Sequence, residues 1–272
     1  MNVKAEFGEA VLREALQQAE ARFGKRLISA YALGSLAHGG FSVHVSDVDL
    51  GLVLADPLLE SDSSAIAALG EAVKSVGLPL ADRLSVFWGS RITLSGAAAG
   101  GRFPPVDCLD LRVNGRLLAG AELRQHVAVP DTRSMVVFAA RMALKNMSTP
   151  EVIRELRDPV DLIRAGVRPF TKRVLFPVRF VFTARTGKIG TNDAAVDYFT
   201  AVEKGPEAVL ARKAFEWRSV PYDPADPGVA VVARAGLLPL YRLFIKDYAS
   251  RLGEYGEDAL ARDMEVWHAR LA

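Results

Sequence analysis

The sequence predicts two architectures in succession: an α/β domain of the α+β kind over residues 1–129 and an all-α helical domain over 130–272. Three observations predict it. Before residue 130, short apolar runs of strand composition alternate with helical patterns. The pattern changes at Val129-Pro130-Asp131. Beyond that point apolar residues recur at helical spacing, in segments separated by Pro and Gly. With 272 residues, half of them hydrophobic, the chain is long enough for a sizeable core.

Residues 8–23 carry Ala10, Leu12, Leu16, Ala19 and Phe23 near one side and read as an amphipathic helix. A strand is expected at 27–33, broken by Gly34-Ser35, and a second at 45–54, ended by the breaker pair Asp56-Pro57. A helix is expected over 63–76, ending at Gly77, and a third apolar strand at 84–88. Residues 89–105, rich in Gly, Ala and Pro, read as loop or turn. "VDCLDLRVNGRLLAG", 106–120, reads as strand, Asn-Gly turn and strand, a hairpin. The second half predicts helices at 132–147, 168–186, 192–203, 206–217, 229–252 and 257–270.

Composition removes several functional classes. The formal net charge is +2 and no block of five or more Lys/Arg occurs, so no nucleic-acid partner and no membrane surface is expected. The single cysteine, Cys108, rules out an internal disulfide framework and fits a reducing compartment. The first residues lack a signal-peptide apolar core, and no run of ~18 apolar residues suggests a bilayer span, so a cytoplasmic address is expected.

The chemistry concentrates in "ALGSLAHGGFSVHVSDVDLGLVL", residues 32–54. On a strand, residues two apart share a face, so Asp47, Asp49 and Gly51 point one way and Val48, Leu50, Leu52 and Leu54 the other, into a core. Two carboxylates ~7 Å apart on one face repel unless a cation lies between them, and Mg2+ is hard, oxygen-loving and held by one or two carboxylates plus substrate phosphates. A bare Asp-x-Asp is equally a solvated strand edge. Gly34-Ser35 ahead of it offers backbone N–H groups and a hydroxyl to an anion, while Gly39 and Gly40 keep the next turn free of side chains. His38 and His44 flank the motif without the partner spacing of a zinc site. Trp88, Trp217 and Trp267 are too scattered for a base-stacking platform and read as packing anchors.

"GSLAHGG…SDVDL" resembles the signature of the polymerase-beta-type nucleotidyltransferase superfamily, with Gly34, Ser35, Gly39, Ser46, Asp47 and Asp49 in place. The resemblance implies a mixed sheet and a nucleotidyl-transfer activity. It also implies that Gly34, Ser35 and Ser46 serve the nucleoside triphosphate while Asp47 and Asp49 hold Mg2+. It further implies a third carboxylate on a later strand, for which "VDCLDL" supplies Asp107 and Asp110. Strand alternation favours Asp110, which would share a face with Arg112; the apolar-Asp-apolar-apolar form usual in the family favours Asp107, which is taken as the third metal and catalytic residue. Cys108 between them reads as packing.

The second half resembles the helical domain of streptomycin/spectinomycin adenylyltransferases in "FPVRFVFTARTGKIGTNDAAVDYFTAV", 176–202, and "LARKAF", 210–215. Carried over by position, Asp197 and Tyr198 belong to the acceptor pocket and Arg212 to the nucleotide phosphates; the family commonly has tryptophan where this chain has Tyr198. Lys246 is a further candidate phosphate contact, or else a solvated helix lysine. Between residues 190 and 226 there are seven acidic against four basic residues, suited to a cationic sugar. Asp193 as a helix-capping acid and Asp197 on a solvated face are the alternatives. The expectation is an Mg2+-dependent transfer of AMP from ATP to a hydroxyl of a small acceptor of the aminoglycoside-antibiotic type. Modification of a protein hydroxyl, or a catalytically silent nucleotide sensor, are the rival readings.

Overall fold

In the computed structural model, which describes residues 5–271, the chain divides into two compact units, Met1–Pro130 and Asp131–Ala272.

The first unit runs α1 (Glu6–Phe23), β1 (Leu27–Leu33), α2 (Gly34–His38), β2 (Val48–Leu54), α3 (Glu60–Ser75), β3 (Leu84–Ser90), α4 (Arg91–Leu94), α5 (Pro105–Asn114) and β4 (Arg116–Gly120). Its four-stranded sheet has the order β3-β2-β1-β4. β1 is antiparallel to both neighbours, while β2 and β3 are parallel, so the sheet is mixed. The parallel pair needs a crossover, and α3 supplies it.

Strand alternation sorts the side chains into two cores. Ala30, Ala32, Val48, Leu50, Leu52 and Leu54 pack against Val11, Leu12, Ala15 and Ala19 of α1 and Ile66, Leu69 and Val73 of α3. Tyr31, Leu33 and Val53 face the other way, onto Leu94, Leu111 and Val127, with Phe87, Phe103 and Cys108 beside them. Trp88 packs at the margin of the first core. The start of α3 is fixed by Asp62, which accepts the Leu59 N–H (2.8 Å) and pairs with both Arg26 Nη atoms at 2.5 and 2.9 Å. Along the outer side of β3, Arg102 exchanges two backbone hydrogen bonds with Trp88, at 3.1 and 2.7 Å. Gly101 makes that approach possible: its φ is +72°, and a β-carbon there would strike the Trp88 carbonyl.

The hairpin expected over 106–120 is not formed. Its first arm is α5, and only the second arm is a strand, β4, which pairs with β1. Proline at the first helical position after Pro104 fixes the entry, and Asp107 lies in the first turn, where a helix favours acid. Asn114-Gly115 therefore ends a helix: the Gly115 N–H bonds the Asp110 and Leu111 carbonyls. Asp107, Asp110 and Asn114 follow helical spacing and lie near one another on α5, not on opposite faces of a strand.

The second unit is all-helical: α6 (Thr132–Met147), α7 (Pro150–Arg157), α8 (Val160–Arg164), α9 (Val167–Thr186), α10 (Asn192–Val202), α11 (Pro206–Trp217), α12 (Pro227–Glu254) and α13 (Asp258–Ala269). Asp131 caps α6 by accepting the Ser134 N–H at 2.7 Å. Helix α12 is the spine. Tyr241, Phe244 and Tyr248 are fully buried and meet Phe180 and Trp267 through ring contacts. Each buried phenol keeps a partner, Tyr241 donating to the Arg173 carbonyl (3.0 Å) and Tyr248 to that of Phe180 (3.1 Å). Where α12 crosses α11, Gly236 lets the backbones approach: a β-carbon there would lie 2.6 Å from the Pro206 oxygen and from Leu210 Cβ. Among the described residues α12 alone is long and apolar enough to span a bilayer by length and composition, and 44% of its most apolar window is buried within the protein.

Candidate functional site

The turn between β1 and α2 and the start of β2 lie side by side because Leu33 and Asp49 are paired across the two antiparallel strands. Gly34 follows Leu33 with φ +58°, in the left-handed region. Its α-carbon faces the Asp49 carboxylate so closely that a β-carbon would overlap Asp49 Oδ2. Asp49 is therefore set directly against the Gly34-Ser35 turn. It stands on the face of β2 that also carries Gly51 and Val53, toward Leu33 and Phe103. The second strand begins at Val48 and not at residue 45, so Asp47 lies just ahead of it, outside the alternation expected to align it with Asp49, and is half-buried.

The intervening loop is built from its own hydrogen bonds. Ser46 is buried and its hydroxyl accepts the Ser42 N–H (3.0 Å); the Ser42 carbonyl accepts from Val45 and Ser46 N–H. Arg83 Nη1 donates to the Val43 carbonyl at 2.8 Å, tying the loop to the segment ahead of β3. Gly39 and Gly40 both take positive φ, with open space where side chains would stand.

The third acid differs from expectation in its surroundings. Across from Asp49 on β3 stands Ser85, and β3 itself, LSVFWGS, has no acid. Both "VDCLDL" acids come from α5. Asp110 is buried, and its Oδ2 accepts the Gly34 N–H at 2.7 Å while Oδ1 accepts from Asn114 Nδ2 at 2.8 Å. Asp107, one turn earlier, is half-buried. Burial, and the Asp107 charge beside it, push the Cys108 thiol up to about 11, so Cys108 is a packed, protonated thiol. Among the described residues no three His, Cys, Asp or Glu side chains gather as a metal site. Asp47 and Asp49 nevertheless present the hard oxygen donors that Mg2+ accepts, the number of carboxylates it commonly takes when phosphates complete its shell.

In the second unit, Asp197 on α10 and Arg212 on α11 pair with each other at 3.0 Å, and Arg212 also donates to the Thr200 hydroxyl at 2.9 Å. Sequence reasoning gave these two residues separate ligands and missed both their pairing and Thr200. The α10–α11 groove beside them encloses about 350 Å³ and is lined by Thr200, Glu203, Lys204, Val209, Arg212 and Lys213. Tyr198 is half-buried, its ring edge-on to Phe182 at 5.6 Å. Lys246 is exposed on α12. Next to it in sequence, Asp247 bridges Arg185 (3.0 Å) and Arg251 (3.1 Å), and Arg185 reaches Glu203 at 2.9 Å. The 187–191 loop is held by Arg179, whose Nε donates to the Gly190 carbonyl at 2.6 Å. Arg218 is buried, and burial followed by the charge of Arg179 lowers its pKa, with Asp193 opposing.

No protein-family model matches the sequence, and no curated protein matches it. Among solved structures the chain is similar in fold to a spectinomycin adenyltransferase from Enterococcus faecialis, crystallised with ATP and spectinomycin. The TM-score is 0.57 at 13% sequence identity, and the match covers 83% of this chain and 96% of the other.

Proposed function

We propose that this protein is an Mg2+-dependent nucleotidyltransferase that moves AMP from ATP to a hydroxyl of a small, cationic acceptor of the aminoglycoside type. The observation that carries the reading is the Asp49 carboxylate seated against Gly34, which brings one acid of the Asp-x-Asp pair beside the serine turn at one sheet end. The fold likeness to an adenyltransferase crystallised with ATP and spectinomycin supports the same chemistry.

In this reading Ser35 and Ser46 serve the triphosphate, and Asp47 and Asp49 hold Mg2+. When bound, the ion would neutralise charge on the phosphate oxygens. Asp107 takes the proton of the acceptor hydroxyl as its oxygen bonds to the α-phosphorus, and the bond from that phosphorus to pyrophosphate breaks. Positioning and electrostatics supply most of the rate in such transfers. Asp197 and Tyr198 are assigned to the acceptor, and Arg212 and Lys246 to phosphate.

The test is pyrophosphate release from ATP and Mg2+ with a panel that includes spectinomycin and streptomycin. Wild-type protein should release pyrophosphate with at least one acceptor, and Asp49→Asn should abolish it while the circular dichroism spectrum stays unchanged. Near-normal turnover by Asp49→Asn would remove the site assignment. ATP binding without pyrophosphate from any acceptor would point to a sensor.

A further inference from the structure

Asp110 carries a consequence for how the turn works, and the following rests on the nucleotidyltransferase reading. Both of its carboxylate oxygens are engaged inside the protein, Oδ2 by the Gly34 N–H and Oδ1 by Asn114 Nδ2. The side chain is buried. Its bond to Gly34 spans 76 residues and joins α5 to the turn on which Asp49 rests. Gly34 is held at φ +58°, and the absence of a β-carbon there leaves room for the Asp49 carboxylate over its α-carbon.

We infer that Asp110 is a positioning residue that clamps Gly34, fixes where Asp49 lies, and stands outside the set of carboxylates that hold the metal. The clamp also withdraws the Gly34 N–H from any phosphate cradle, since that donor is already spent on a carboxylate. Hydrogen-bond chemistry separates this role from metal ligation. An asparagine at 110 can accept the Gly34 N–H through its amide oxygen and donate its Nδ2 to Asn114, whose own amide turns to present oxygen. Asp110→Asn therefore keeps both bonds and removes the charge that a metal ligand needs.

The experiment has two readouts on the full chain: amide hydrogen exchange at Gly34, and Mn2+ retained with ATP, followed by electron paramagnetic resonance. Asp110→Asn should leave Gly34 exchange unchanged and keep Mn2+ affinity within about threefold of wild type, whereas Asp110→Ala should speed Gly34 exchange by about tenfold, the effect of losing one hydrogen bond. Asp49→Asn should lose Mn2+. If Asp110→Ala does not fold, Asn114→Ala is read in its place, with exchange at Gly34 raised about threefold through the slackened carboxylate. Loss of Mn2+ in Asp110→Asn as complete as in Asp49→Asn would overturn the inference. So would unchanged Gly34 exchange in the alanine variants. Should wild-type protein hold no Mn2+ with ATP, the nucleotidyltransferase reading fails while Gly34 exchange still decides the clamp.

Discussion

Gly34 has two reasons to be glycine, and each can be measured. Its φ of +58° costs any L-residue about 1–2 kcal/mol, and a methyl group would also displace Asp49. Gly34→Ala should therefore lower stability in urea by at least about 1–2 kcal/mol and should abolish pyrophosphate release. A stable, active Gly34→Ala protein would contradict the described turn. Ser46 belongs to the same scale: Ser46→Ala leaves the buried Ser42 N–H without the hydroxyl it now bonds, at a cost of about 1–3 kcal/mol. The face shared by Asp49, Gly51 and Val53 is readable from strand alternation alone, because period two is a local property of the backbone. The contact between Gly34 and Asp110 is not, because nothing in either neighbourhood encodes a partner 76 residues away.

Helices and strands carry their own tests. Asp62 is held below the usual carboxylate range, first by the hydrogen bonds from Arg26 and then by the Leu59 N–H. A carboxyl depressed in the folded state stabilises fully above its unfolded value near ~3.9 and loses that contribution as pH falls through the lower folded value. Asp62→Asn should thus cost about 1–2 kcal/mol at neutral pH, toward the lower end for a charged hydrogen bond because Arg26 is 32% exposed. It should also flatten the acid limb of the stability profile, and an unchanged limb below pH ~4 would contradict the pair. At the α11–α12 crossing, Gly236→Ala must push apart Leu210 and the Pro206 carbonyl, an overpacking cost of about 1–3 kcal/mol measurable by thermal melting. The long helices α1, α6, α9 and α11 are legible because their apolar residues recur with helical period, and α12 because its apolar stretch is far longer than a strand. Segment 106–120 misleads because its apolar positions also fit alternation and its Asn-Gly imitates a hairpin turn. Pro104-Pro105 was the available signal, since a proline pair suits a helix start and not the beginning of a paired arm. Helix α8, of five residues, is too short for a period to emerge, whereas α7 carries a readable signal in Thr149-Pro150 and in Val152, Ile153 and Leu156 at helical spacing.

At the scale of the molecule, each unit has its own core among the described residues: the helical core is built from residues after 131 and the sheet cores from residues before it. Calorimetry on the whole chain should show that Leu52→Ala lowers one transition and Phe244→Ala another, each core truncation costing about 2–5 kcal/mol in its own unit. A single transition shifted equally by both variants would show one cooperative body. The outer margin of β3 bears on a different property, behaviour in concentrated solution. A bare sheet border invites strands of other molecules, and here the Arg102 backbone occupies part of that border by taking both bonding groups of Trp88. Replacing Gly101 with valine would lift this cover, so the variant should scatter light sooner on warming than the parent, through intermolecular strand addition and not through any weakness of the interior.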